Sequence, residues 1–313
     1  MIGPLETFGL RPLRERLPDF AKALRGNEHK PATKFGLSSV KIFKPRIALK
    51  TWLRIRRKDR RVELYNLFNH TPPALEEGYS VRVTRVHDFR GGALTYDSHQ
   101  GTDFAVPVGT VCVSPAPGRI LRVTNELDRG GLKVVVDHGR GLLTTHNHLA
   151  RSLVKVGEKV KRGQPLALCG ASGVELLLCF PWVAPHLHFN TFLNGVYVDP
   201  FARDGEVSLW RQHNDPIPET RWHGDKEDDW EETDWNREGL LEAVEQCRDA
   251  RLKQMLQSID ELPLLAAEIL MQSNYYPNLF ETRPTLVKEV SVRESRLDLP
   301  FRESDYVGVV FPF

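Results

Sequence analysis

Between residues 79 and 192 the chain alternates short β-branched and apolar runs with glycine-rich punctuation. The runs cover 79–86, 110–113, 119–124, 133–137, 142–145 and 186–192. Turn signals at Pro117-Gly118, Gly130-Gly131, 139–141, Gly157 and Gly163 separate them. Short strands with frequent turns predict a mainly β core, an antiparallel sheet or flattened sandwich. Past residue 236 the period changes. Leu240, Leu241, Val244, Cys247, Leu252, Met255 and Leu256 fall near helical spacing. They predict one helix over 239–259, and 264–271 predicts a second after Pro263. Residues 1–75 carry Pro4, Pro12, Pro18, Pro31 and Pro45 and show no period before 40–53, so they read as an irregular arm wrapped on the core. With a boundary at Thr71-Pro72-Pro73, the chain divides into a basic arm (1–75), a β-rich domain (76–203) and an acidic, largely helical extension (204–313).

Composition leaves that picture standing. At 313 residues, 41% hydrophobic and 27% charged, the chain has the make-up of a folded globular protein. Its net charge of +2 hides an asymmetry: residues 1–61 hold 17 Lys/Arg against 5 Asp/Glu, and residues 204–246 hold 14 acids against 4 bases. Such blocks either attract each other or leave the basic one to meet an anionic polymer or membrane surface. Aromatic residues in the arm, Phe43 and Trp52, are too sparse for a nucleic-acid site, and none is expected. Cys112, Cys169, Cys179 and Cys247 lack paired spacing and are expected as buried thiols. No transmembrane segment is visible. Arg11, Arg14 and Arg16 interrupt the start, so no ordinary signal peptide is read there. The expectation is a cytoplasmic protein or one exported by a non-Sec route.

The chemistry concentrates in the middle segment. Three histidine clusters stand at Ser98-His99-Gln100-Gly101-Thr102-Asp103, Thr145-His146-Asn147-His148-Leu149 and Pro185-His186-Leu187-His188-Phe189. In an extended chain alternate side chains share a face, so His186 and His188 emerge together. His99 and Asp103 can do the same if Gly101 permits a bend. Taken singly, each motif reads more often as packing or surface than as a ligand. Together, two imidazoles and a carboxylate give a three-ligand set that leaves a fourth zinc position open.

At these residues the segment resembles the lysostaphin-type (M23, or LytM-like) zinc metallopeptidases, which cut peptides of bacterial cell-wall peptidoglycan. His99-Gln100-Gly101-Thr102-Asp103-Phe104 stands for their H-x-G-x-D signature, His148-Leu149 for the middle one and His186-Leu187-His188 for the last. Val198-Asp199-Pro200 closes a likeness that covers about residues 80–203. The resemblance implies one zinc ion held by His99, Asp103 and His188. It implies His148 and His186 as the pair that takes up a proton and stabilises the oxyanion, their division of labour left open. The implied activity is a zinc metalloendopeptidase acting on peptidoglycan stem or cross-bridge peptides, with a LytM-like fold related to duplicated hybrid motifs.

Departures from the family pattern accompany it. His146 replaces a usual aromatic and is expected near the site, beside the ligands or facing substrate. Asn190 stands where an acid is common. An apolar insertion, 174–184, is expected to pack on the C-terminal helices. His138 reads as structural, whereas His29, His70, His87, His213 and His223 have no motif context. Alternatives of other classes are a non-catalytic LytM-like regulatory or binding module and a carrier or phosphocarrier domain suggested by the 156–166 pattern. A zinc peptidase of cytoplasmic peptides is the third.

Overall fold

A computed structural model describes residues 2–16, 18, 25–26, 28–72, 78–219 and 230–312. The expected boundary at Pro73 and residue 76, together with Trp222 and His223, lies outside them. Alternating patterns resolve into β1 (Arg61–Asn66), β2 (Thr102–Ala105), β3 (Val111–Val113), β4 (Gly118–Glu126), β5 (Gly131–Asp137) and β6 (Leu142–Ser152). They continue as β7 (Lys159–Val160), β8 (Pro165–Cys169), β9 (His186–Leu193), β10 (Val196–Val198) and β11 (Gly308–Val310). These strands make one sheet with the path β11-β1-β2-β9-β6-β5-β4-β7, extended by β10 on β9 and by β8 and β3 from β6. Pairing is antiparallel apart from the parallel β1–β11 contact. The protein is mainly β, as its pattern predicts.

Period-two alternation sorts the residues onto two faces. Phe104, Val134, Val136, Leu187 and Phe189 turn one way and are fully buried with Trp210, Leu297 and Phe301 of the C-terminal region. Leu121, Val135, Leu143 and Phe192 turn the other way, beneath helices α4 (Arg237–Glu245), α5 (Ala250–Gln257) and α6 (Leu262–Tyr275). Glu268 of α6 accepts from the Arg122 guanidinium at 2.5 and 3.1 Å. Arg122 also donates to Glu126 at 2.6 Å, so a buried ionic cluster fixes α6 to the sheet. The helices cover only part of this face, and its uncovered part carries the histidines.

Four expectations are refined by the structure. The helix foreseen over 239–259 is two, because the Asp249 carboxylate accepts from the Leu252 N–H and caps a new start. The run 79–86 forms no strand beyond an isolated bridge at Ser80. Several of its backbone donors go to side chains instead, Ser80 N–H to Ser98 Oγ and Val83 N–H to Ser38 Oγ, while Val81 N–H donates to the Lys34 carbonyl. The arm is partly regular, supplying α1 (Pro4–Thr7), α2 (Pro45–Trp52) and the integral strand β1. The insertion, which forms α3 (Val174–Leu178) and a following turn, packs on the arm and not on the C-terminal helices. Phe180 meets Trp52 and Phe8 at ring distances of 4.9 and 5.8 Å. Cys112, Cys169 and Cys247 are buried free thiols and Cys179 is half-buried and free.

Candidate metal centre

Strand register assembles the site. In β2 and β9, Asp103 lies directly opposite His188, and on the next strand Asn147 of β6 is opposite His188 in turn. Asn66 of β1 faces Asp103 from the other side. A row Asn66–Asp103–His188–Asn147 therefore crosses four strands on one face, with His186 two residues from His188 on the same face. Leu187 and Phe189 occupy the opposite face and anchor β9 in the core.

His99 reaches this row from the loop before β2. Its Nδ1 lies 2.7 Å from the Leu67 carbonyl, so the N–H is donated there and the Nε2 lone pair points inward. Nε2 stands 3.1 Å from Asp103 Oδ1 and 3.2 Å from His188 Nδ1, and His188 Nδ1 is 2.7 Å from the same Oδ1. A tetrahedral ion with ligands at 2.0–2.1 Å has ligand–ligand edges of roughly 3.3 Å, so the three atoms are close to the right triangle. Their outer atoms are held as well. Asn66 Nδ2 donates to Asp103 Oδ2 at 2.7 Å, and His188 Nε2 is 2.9 Å from Asn190 Nδ2. Gly101 makes room for this: a Cβ there would lie 2.9 Å from His188 Cε1 and 2.8 Å from the Phe189 carbonyl.

A second group, His148, His186 and His188, also converges, with its candidate ligand atoms inside 4.8 Å of one another. His186 Nδ1 donates to the Ala184 carbonyl at 2.7 Å and His148 Nδ1 to the Ser172 carbonyl at 2.6 Å, leaving both Nε2 atoms as acceptors. His186 Nε2 is 3.6 Å from Asp103 Oδ1, and the His148 and His186 rings are 4.7 Å apart. Plain alternation would put His148 on the core face with His146. The pairing of β5 with β6 instead shifts register here, and His148 adopts φ of 60°, a bulge that swings its ring to the site. Such a left-handed residue costs on the order of 1–3 kcal/mol, which the surrounding sheet sustains.

His146 keeps the core side. It opposes Phe189, with ring centroids 5.2 Å apart, so the expectation that it adds a polar group to the site is corrected. Neither ring nitrogen makes a well-formed hydrogen bond, although backbone groups of Val113 and Val134 ease its burial slightly. His138 is structural, bonded to the Pro117 carbonyl and Thr144 Oγ1.

Electrostatics follow from enclosure. His99, Asp103, His148 and His186 are each at most 5% exposed. Burial alone would raise the Asp103 carboxyl, but the imidazoles of His99, His186 and His188 outweigh it and hold the group well below its ordinary value. Burial, then the neighbouring His186 and His188, pushes His148 well below the usual imidazole range, and burial also lowers His188. Enclosure thus favours an ionised Asp103 beside neutral His148 and His188, the states in which such groups bind metal.

Residues that sequence reading missed surround it. The Tyr65 ring stacks on His186 at 5.8 Å, and the Tyr96 ring lies 4.8 Å from His99. Lys44 Nζ donates to Asn66 Oδ1 at 3.1 Å. Only the alternation in 61–66, obscured by Arg61 and Glu63, hinted at Tyr65 and Asn66. A cleft of about 510 Å³ opens beside Gln100, bordered by Phe68, Tyr197 and the C-terminal Arg248, Asn274 and Arg283.

A β-sheet face bearing two imidazoles and a carboxylate around an open side defines a candidate metal site of the catalytic kind. Residues 97–200 match peptidase family M23, and the chain belongs to that family through this segment. An uncharacterized metalloprotease of Haemophilus influenzae is 38% identical over 104 residues, which are 33% of this chain and 20% of that protein. The peptidoglycan DD-endopeptidase ShyB of Vibrio cholerae is 37% identical over 106 residues, 34% of this chain and 23% of that protein. The matched stretch thus spans only about a fifth of these relatives. Among solved structures, the catalytic domain of lysostaphin from Staphylococcus simulans is 30% identical, with a TM-score of 0.29, covering 33% of this chain and 77% of that one.

Proposed function

We propose that this chain is a zinc metalloendopeptidase whose substrates are peptides of peptidoglycan, stem or cross-bridge. The observation that carries the reading is the meeting of His99 Nε2, Asp103 Oδ1 and His188 Nδ1 within 3.2 Å of one another, with His148 and His186 beside them. Zinc fits this donor set of two nitrogens and one carboxylate oxygen. When bound, it lowers the pKa of water to about 7 and polarises the scissile carbonyl.

The protein's own groups do the rest. His99, Asp103 and His188 would hold the ion, braced by Leu67, Asn66 and Asn190. His148 and His186 present lone pairs on Nε2, their Nδ1 protons being committed to backbone carbonyls. One of them accepts a proton from the attacking water and returns it to the leaving amine. The other, once it has taken up a proton at Nε2, would donate to the oxyanion. The cleft beside Gln100 is lined by none of the five centre residues, but it begins one residue from His99, and its arginines suit a carboxylate on a peptide that extends past the centre. The DD-endopeptidase activity named for ShyB favours peptidoglycan as substrate class.

The test is digestion of purified sacculi and synthetic cross-bridge peptides by zinc-loaded protein, with mass analysis of fragments. Cleavage abolished by a chelator and restored by zinc is expected. Metal-free protein that folds normally and cuts neither substrate would sink the reading in favour of a regulatory module.

A further inference from the structure

The arm-side surface has a composition the catalytic reading does not use. Helix α2 buries Ala48 and Thr51, while Leu49 and Leu53 one turn apart, and Ile55 beyond them, stand in solvent. Beside it, the insertion presents Leu178, Phe180 and Trp182. The two elements form one surface: Trp52 meets Phe180 edge-on at 4.9 Å and its indole N–H donates to the Val183 carbonyl at 3.0 Å. These six large apolar side chains are between 44% and 69% exposed. Isolated exposed leucines are normal, but exposed apolar side chains on two elements joined through Trp52 mark a contact surface.

Charge identifies what it contacts. Arg46, Lys50, Arg54, Arg56, Arg57, Lys58, Arg60 and Arg61 are all exposed along the same stretch, 45–61, against the single acid Asp59. Arg57 occupies Asp59, and Arg56 pairs with Asp305. A soluble polyanion calls for the charges but not for six bare apolar side chains. A second copy of this face would bring like charges together. An anionic bilayer satisfies both features: apolar and aromatic side chains enter the headgroup region while lysines and arginines reach anionic headgroups.

We propose that α2, the segment after it and the 174–184 insertion form a peripheral binding surface for an anionic lipid bilayer. Among the described residues no helix is long and apolar enough to cross a membrane. Ala48 packs in one cluster with Tyr65, which stacks on His186, so the attached face lies one layer of side chains from the metal centre.

The experiment is flotation of the full chain with vesicles of phosphatidylcholine containing a quarter phosphatidylglycerol, and with phosphatidylcholine alone. Binding at least tenfold stronger to the anionic vesicles is expected, with quenching of tryptophan fluorescence by bromolipid. Neutral substitutions L53S and I55S together should weaken binding at least fivefold while thermal unfolding and peptidase activity stay as in the parent. Absence of binding to anionic vesicles overturns the proposal. So does unchanged binding by the double variant together with full competition by polyphosphate, which would mark a polyanion site. A parent that sediments as a dimer, made monomeric by the same pair, would assign the surface to self-association and equally overturn it.

Discussion

At the scale of single residues, the five polar groups of the centre divide by what their removal should do. His188→Ala deletes a donor atom 2.7 Å from Asp103 Oδ1, so both bound zinc and activity should vanish. His186→Ala leaves the three donors intact, so metal content should stay near one ion per chain while turnover falls about 10²–10⁴-fold. Metal analysis beside rate measurement separates the two. Full zinc content in His188→Ala would disprove the ligand assignment. Gly101 carries a subtler prediction. Its Cβ position collides with the Phe189 carbonyl and crowds His188 Cε1 and Asn190 Nδ2, the last at 2.7 Å. Gly101→Ala should therefore loosen the His188–Asn190 support and weaken zinc affinity about 10–100-fold, with a stability loss of about 1–3 kcal/mol. Competition against a chelator reads the first and denaturant melts the second. Unchanged affinity would mean the motif glycine serves only the turn.

At the scale of elements, β9 was legible and β6 only half so. In β9 the alternation of His186, His188 and Asn190 against Leu187 and Phe189 assigns both faces from sequence alone. In β6 the same spacing, His146-x-His148, misleads, because a left-handed bulge at a non-glycine residue leaves no mark in composition. β1 and β11 were missed for another reason: they are short and meet across nearly 250 residues, a long-range pairing that local pattern does not record. The buried side of β6 has its own measurable consequence. Burial pushes His146 and His138 down to about 3, the latter also beside Arg296 and Arg162. Both are fully enclosed, so the folded state keeps them neutral where the unfolded chain protonates near 6.5. Below pH 6.5 the unfolded state binds more protons, hence stability present above that value is lost as pH falls toward 3. Two such groups give up to about 2.7 kcal/mol per pH unit. Denaturant midpoints between pH 7.5 and 5 should fall accordingly, and His146→Phe, which removes one titrating group against Phe189, should reduce the slope by up to about 1.4 kcal/mol per pH unit. A slope unchanged by that substitution would show that His146 protonates without unfolding.

At the scale of the whole molecule, the family segment and its flanks share a single sheet. Residues 97–200 supply most strands, yet β1 comes from before them and β11 from after. Among the described residues the basic arm pairs Arg56 with Asp305 near the C-terminal end, which β11 brings alongside. The C-terminal helices matter more. Leu121, Val135, Leu143 and Phe192 point away from the principal core and are buried only beneath α4–α6, with Trp235, Leu240 and Leu270. Each large apolar side chain buried contributes about 1.5–3 kcal/mol, so uncovering four forfeits about 6–12 kcal/mol. That equals the whole stability of an ordinary domain, about 5–15 kcal/mol. It would also cost the buried Arg122 guanidinium its Glu268 partner, leaving Glu126 as its carboxylate. A chain ending at residue 203 should therefore aggregate or unfold without a cooperative transition, even though every proposed metal ligand and proton carrier is retained. Co-expressing residues 204–313 as a separate piece should recover soluble, zinc-binding complex, since apolar burial and charge pairing join the two parts and neither needs an unbroken chain. If the truncated chain alone melted cooperatively at the parent's midpoint, the outer layer would be a passenger, and the open side of the metal centre would have to be shaped by the sheet without it.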